Sequence, residues 1–308
     1  MEKAVLSAVP IAASSAPSLD LDPSIATWGV LGALVIAMLA VDLAVFARDH
    51  TPPVREAAAW SVVWLAVAAG FGALFWAWQG GEAGGQFLAG YLLERTLSLD
   101  SVFVFAVIMA YFAVPAAVQP KVLSWGISLA LVLRLALILA GAALLDTFHV
   151  TFYVFGALLL FTAWKLVRRE GKEAAPDRNR ALRLLPRRLR AKPLVVVFVV
   201  VATTDLVFAV DSIPAIFAVT SEPFVVFAAN AFAMLGLRAL YFLLAGMMDR
   251  FVYLSHGLAL ILVFIGTKML LIDVWHPPIW LSLGVIVAVL AATVVLSLLR
   301  SEPEGTAA

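Results

Sequence analysis

Seven ionisable side chains inside otherwise apolar stretches are candidates for chemistry: Asp42, Glu94, Asp100, Asp205 and Asp211, with Arg134 and Arg238. A charge at the centre of a transmembrane helix costs about 2.5–3.5 kcal/mol on insertion scales, so such groups face a bundle interior and act as sites, relays or paired anchors. Oxygen-bearing residues surround the acids. Thr96 and Ser98 precede Asp100 and Ser101 follows it; Thr203 and Thr204 precede Asp205; Ser212 follows Asp211. Cysteine is absent, and the four histidines, at positions 50, 149, 256 and 276, fall near the ends of apolar stretches. Carboxylate, hydroxyl and carbonyl oxygens without thiolates or clustered imidazoles suit hard cations such as Mn²⁺, Mg²⁺ and Ca²⁺. A proton relay is the chemical alternative, and the two can share residues.

Spacing alone does not bring the acids together. Asp205 and Asp211 are six residues apart, which on a straight helix leaves them about 240° apart in azimuth with about 9 Å of rise. Pro214, three residues after Asp211, removes a backbone donor and is expected to kink or open the helix beside them. Glu94 and Asp100 have the same separation without a proline. Asp42 and Glu94 stand nearer the ends of their stretches, where reaching water is the rival reading. Arg134 and Arg238 are each expected to neutralise a carboxylate, because unpaired buried acids would otherwise protonate. Snorkelling to the head groups is the competing role for an intramembrane cation, and it suits Lys165 and Lys268.

The elements that hold these residues follow from composition. Of 308 residues, 64% are hydrophobic and 13% charged, with mean hydropathy +1.03. Soluble proteins average about 45–50% apolar and about 25% charged. The chain therefore reads as an all-α, polytopic transmembrane bundle, its apolar runs being far longer than barrel strands. Windows of about 20 residues give nine spans, at 27–46, 58–78, 90–113, 123–145, 150–167, 193–219, 224–248, 254–272 and 278–299. Residues 1–26, interrupted by Pro10, read as an extracytoplasmic tail rather than a cleaved signal peptide. Residues 27–299 form the transmembrane domain and 300–308 a C-terminal tail. The loop 168–192 holds ten basic residues and is expected in the cytoplasm. Alternation from that loop puts Arg48, Arg55, Lys121, Arg250 and Arg300 on the same side, with the N-terminus outside and the C-terminus inside. The basic loop sets topology, and binding of anionic lipid is its functional alternative. The opposite rim is acidic, with Glu82, Asp146, Glu222 and Asp273.

An internal repeat organises the middle of the chain. Asp100-Ser101-Val102-Phe103 recurs as Asp205-Leu206-Val207-Phe208, Arg134 recurs at Arg238, and Lys165 at Lys268, with offsets of 105, 104 and 103. Three landmarks in order argue for duplication of spans three to five (about 90–167) as spans six to eight (about 193–272). Because each unit has an odd number of spans, the copies cross in opposite directions. This three-plus-three inverted repeat is a plan of secondary transporters, with the substrate near the midplane.

Two segments carry a family resemblance. Leu93-Glu94-Arg95-Thr96-Leu97-Ser98-Leu99-Asp100-Ser101-Val102-Phe103 and Thr204-Asp205-Leu206-Val207-Phe208-Ala209-Val210-Asp211-Ser212-Ile213-Pro214-Ala215 are similar to the two signature regions of the TerC family of integral membrane proteins. The first departs from the family pattern, with Arg95-Thr96 and Asp100-Ser101 where Lys-Ser and Asp-Asn are expected; Ser101 thus lacks an amide oxygen. The resemblance implies a LysE-like transporter, a role in manganese export, and links to tellurium resistance and to metal loading of exported enzymes. It also implies that Glu94, Asp100, Asp205 and Asp211, with Asp42 as a further acidic position, hold the metal, supported by Ser98, Ser101, Thr204, Ser212, Arg134 and Arg238.

The leading expectation is a secondary transporter in the bacterial cytoplasmic membrane that exports Mn²⁺ as substrate, with proton exchange at the same carboxylates as its coupling. It needs no permanently bound cofactor and no nucleic-acid partner. The rival is a non-transporting scaffold that aids membrane-protein insertion or the metalation of exported proteins, as a homo-oligomer or with secretion machinery. Enzyme chemistry is disfavoured, since no catalytic or nucleotide-binding motif occurs.

Overall fold

The computed structural model describes residues 23–45, 52–168, 193–244, 253–275 and 277–300. Most of the N-terminal tail, nearly all of the basic loop and most of the C-terminal tail lie outside the described residues. Among the described residues the structure is helical, with ten helices: α1 (Ile25–Val45), α2 (Val54–Gln79), α3 (Gly81–Tyr111), α4 (Gln119–Thr147), α5 (Val150–Arg168), α6 (Pro193–Phe217), α7 (Pro223–Met234), α8 (Leu237–Leu244), α9 (Leu254–Leu270) and α10 (Ile279–Arg300). Each of the nine expected spans falls on a helix or, for 224–248, on the α7–α8 pair.

Six helices (α1, α2, α4, α5, α6 and α10) are long and apolar enough to cross a membrane, and α7 with α8, bent by 41°, makes a seventh. Length and apolarity thus account for six or seven of the nine crossings expected. The other two differ for physical reasons. α9 has 17 residues, just short of the about 20 that a bilayer core asks for. α3 is 31 residues long but carries Glu94, Arg95 and Asp100 at its centre. Its charges are tolerated because α3 packs against α2, α6, α7, α8, α9 and α10 and so meets protein where an outer helix would meet lipid.

Small and aromatic residues make this density possible. Phe71 and Phe75 of α2, Phe87 of α3 and Phe224 and Phe232 of α7 form one aromatic cluster, with Phe71–Phe232 centroids 4.5 Å apart. Trp28 of α1 joins it edge-on through Phe224 at 5.3 Å. α4 packs along α6, and α5 along α9. The α5–α9 seam closes on glycine: a Cβ at Gly156 would stand 2.9 Å from the Gly266 carbonyl oxygen and 3.0 Å from Leu270 Cγ. Without a hydrophobic drive between helices in lipid, such close approach supplies the packing energy. Gly156→Leu is therefore expected to destabilise the protein by about 1–3 kcal/mol. Thermal unfolding in detergent reads this, and an unchanged midpoint would contradict the seam.

The sequence draws attention to Pro214, but the interruption of the helical backbone lies further on. α6 runs through Pro214 as one helix to Phe217. The break lies in the following segment, at Leu235-Gly236, where Gly236 adopts φ +81°. A side chain there would be strained, and a Cβ would lie 2.7 Å from the Trp64 ring. The break turns α8 by 41° from α7 and so sets the direction of Arg238.

Candidate functional site

Arg134, on α4, is the hub of the buried polar interior. Its Nη1 donates to Glu94 Oε1 of α3 and, at 3.3 Å, to Ser212 Oγ of α6; Nε and Nη2 each reach an Asp205 carboxylate oxygen at 3.3 Å. Arg134 is 2% exposed, Glu94 0% and Asp205 3%. Helix geometry explains the grouping. Ser212 follows Asp205 by seven residues, close to two full turns, so both share the face of α6 that meets α4. Ser98, one turn after Glu94, donates to Glu94 Oε1 at 3.4 Å, and Ser101 continues that face of α3. The planar guanidinium is the side chain suited to this work, since its fork serves two carboxylates and a hydroxyl at once. Two acids share one arginine.

Asp211 does not join it. About 240° around α6 from Asp205, it is half-buried against α5, where Thr162 Oγ1 donates to its Oδ1 at 2.9 Å and Lys165 lies within electrostatic reach. Lys165 thus faces a carboxylate, and Lys268 donates to the buried Ser282 of α10 at 3.4 Å.

Asp42 enters a second cluster. Arg238 of α8 donates through Nε at 2.7 Å and through Nη2 to Asp42 Oδ2 of α1, and through Nη1 to Ser124 Oγ of α4. Asp42 and Arg238 are each 1% exposed, so Asp42 does not reach water as a span-end acid would. Asp100 lies on α3 and its side chain is outside the described residues. Thr204 is half-buried on α6. Among the described residues, no three His, Asp or Glu side chains converge closely enough to hold a metal ion. Of the five candidate acids, then, the structure brings Glu94 and Asp205 together and sets Asp42 and Asp211 apart.

The sequence reading passed over four residues. Arg95 Nη1 donates to the Ala233 carbonyl at 2.8 Å, satisfying the C-terminal end of α7 where the helix break leaves it without a partner. As an intramembrane cation in the first signature segment, Arg95 was visible to the same test that singled out Arg134. Thr162 and Ser124 gave no sequence signal, because their roles depend on which helix they face. Asn230, an amide in the apolar run of α7, did give one.

A family model described as "Integral membrane protein TerC family" matches residues 79–304. The chain belongs to the TerC family. Relatives agree over nearly the whole length: an uncharacterized membrane protein of Myxococcus xanthus is 44% identical over 299 residues, covering 91% of this chain and 94% of the relative. A protein of Escherichia coli K12 named "Putative membrane-bound redox modulator Alx" is 42% identical over 300 residues, covering 88% and 93%. An uncharacterized membrane protein of Mycobacterium bovis is 40% identical over 268 residues, covering 79% and 68%. No solved structure matches the chain. The TerC match and the apolar helices together make this a multi-pass membrane protein.

Proposed function

We propose that this TerC-family protein is a secondary transporter that exports a divalent cation, Mn²⁺, from the cytoplasm. The observation that carries the reading is the buried cluster in which Glu94 and Asp205 share Arg134. Such an arrangement is costly as mere glue, because apolar packing of equal volume generally stabilises as well or better than a buried ion pair. It suits a cation site that must survive empty. The guanidinium stands in for the cargo at the oxygens of both acids; an arriving cation competes for the same oxygens and releases the arginine.

Packing supports the inverted-repeat plan. Under the repeat, α3, α4 and α5 correspond to α6, the α7–α8 pair and α9. The α4–α6 and α3–α7 contacts then exchange with one another, while α3–α6 and α5–α9 are pairs of equivalent helices. The excess of basic residues in loop 168–192 supports a cytoplasmic loop, with the N-terminus outside. On this reading Asp211, separate from Arg134 and bonded to Thr162, serves proton exchange. A thiol-based redox role, which the name of the Escherichia coli relative invites, is closed to a chain without cysteine.

A scaffold reading stands on one observation, that each arginine ties together helices far apart in sequence. Flux separates the two. Proteoliposomes loaded with a Mn²⁺-sensitive dye are expected to show uptake with wild type and at least tenfold less with Glu94→Gln or Asp205→Asn, with Ca²⁺, Mg²⁺ and an imposed pH gradient reporting selectivity and coupling. Folded, inserted wild type that moves no divalent cation would overturn the transporter reading in favour of the scaffold.

A further inference from the structure

One buried polar side chain is used by nothing in the fold. Asn230 interrupts eleven apolar residues of α7. It is 0% exposed, and neither Oδ1 nor Nδ2 has a hydrogen-bond partner among the described residues. Asparagine is favoured at helix caps and turns, yet Asn230 is the eighth residue of a twelve-residue helix, where it caps nothing. A buried carboxamide left unbonded disfavours folding, and within a bilayer there is no bulk water to satisfy it. An apolar side chain would suit this helix better, so the amide calls for a ligand.

Register places it beside the Arg134 cluster. A Cβ at Gly90 of α3 would lie 3.2 Å from Ala229 Cβ, and Arg95 bonds the Ala233 carbonyl. The two contacts advance together along both helices, so α3 and α7 run parallel. Asn230 lies on α7 between them, level with the part of α3 that leads to Glu94. Glu94 Oε2 is itself buried and has no partner among the described residues, its Oε1 being the atom engaged by Arg134 and Ser98. A carboxylate oxygen and a carboxamide oxygen with unused lone pairs on two touching helices are donors that a hard divalent cation takes.

We infer that Asn230 supplies a neutral oxygen ligand to the transported cation, joining Glu94 across the α3–α7 interface. The inference rests on the transporter reading above. A neutral donor adds a ligand without adding charge, so the balance between Arg134 and its two acids in the empty site is unchanged.

The test uses the full chain in proteoliposomes with Mn²⁺ as the probe, beside thermal unfolding in detergent. Asn230→Leu is expected to raise the KM for Mn²⁺ at least tenfold, about 1.4 kcal/mol, while its unfolding temperature stays at or above that of wild type. Asn230→Asp, which keeps an oxygen at the same place, is expected to hold KM within about threefold of wild type and to change the preference between Mn²⁺ and Ca²⁺. If Asn230→Leu transports with wild-type KM while Glu94→Gln is inactive, the role of Asn230 fails and the transporter reading stands. A lowered unfolding temperature for Asn230→Leu would assign the amide to the fold and overturn the inference. Wild type that moves no divalent cation overturns both.

Discussion

Arg134→Met is expected to cost about 3–5 kcal/mol of stability, the usual penalty for removing one partner from a buried ion pair. The methionine fills much of the arginine volume, so the loss is electrostatic. Glu94 and Asp205 would be left 0% and 3% exposed with no counter-ion, and the next-nearest donors, Ser98 and Ser212, are neutral. Neutralising the acids as well, in Arg134→Met/Glu94→Gln/Asp205→Asn, is expected to recover most of the loss, since amides need only hydrogen bonds. Arg134→Lys should fall between the two: it keeps the charge but cannot span Glu94 on one helix and both Asp205 oxygens on another with a single ammonium. Thermal unfolding in detergent, followed by the fluorescence of the nine tryptophans, ranks the four proteins. If Arg134→Met unfolds with wild type, the acids are not ionised in the empty protein, and the arginine does not stand in for a cation.

What could be read in advance, and what could not, follows from the range of the forces involved. Helical class and the position of each apolar segment are local properties of about 20-residue windows, and all nine windows fall on helices. The pairing of Arg134 with a carboxylate was legible too, because an isolated charge in an apolar segment must find a partner. Which carboxylate was not. Asp205 and Asp211 are equivalent as letters, and only the azimuth on α6, fixed by its neighbours α4 and α5, sends one to Arg134 and the other to Thr162. Gly236 gave no signal in advance, yet it permits the positive φ at which the backbone turns between α7 and α8. Asp42 had the weakest motif, yet it is one of the best buried acids, because α8 brings an arginine to it across 196 residues of sequence.

That second pair carries the other large expected effect. α1 packs on α7 chiefly through Trp28 near its start, and Asp42, near its end, is held by Arg238. Asp42→Ala therefore removes the attachment of one half of α1 and strips a buried arginine of a carboxylate at the helix break. A loss of about 3–5 kcal/mol is expected, and a similar one for Arg238→Met. The double variant should be less unstable than the sum of the two by about 2 kcal/mol, the signature of residues that act through one another. Function should part from stability here. Because Asp42 bonds Arg238 and stands away from Glu94 and Asp205, Asp42→Asn is expected to keep Mn²⁺ flux per folded molecule within about twofold of wild type, where Glu94→Gln loses tenfold or more. Additive losses would deny that the pair is the tie holding α1. Flux lost together with that of Glu94→Gln would instead move Asp42 into the transport pathway, with Arg238 doing for it what Arg134 does for Glu94 and Asp205.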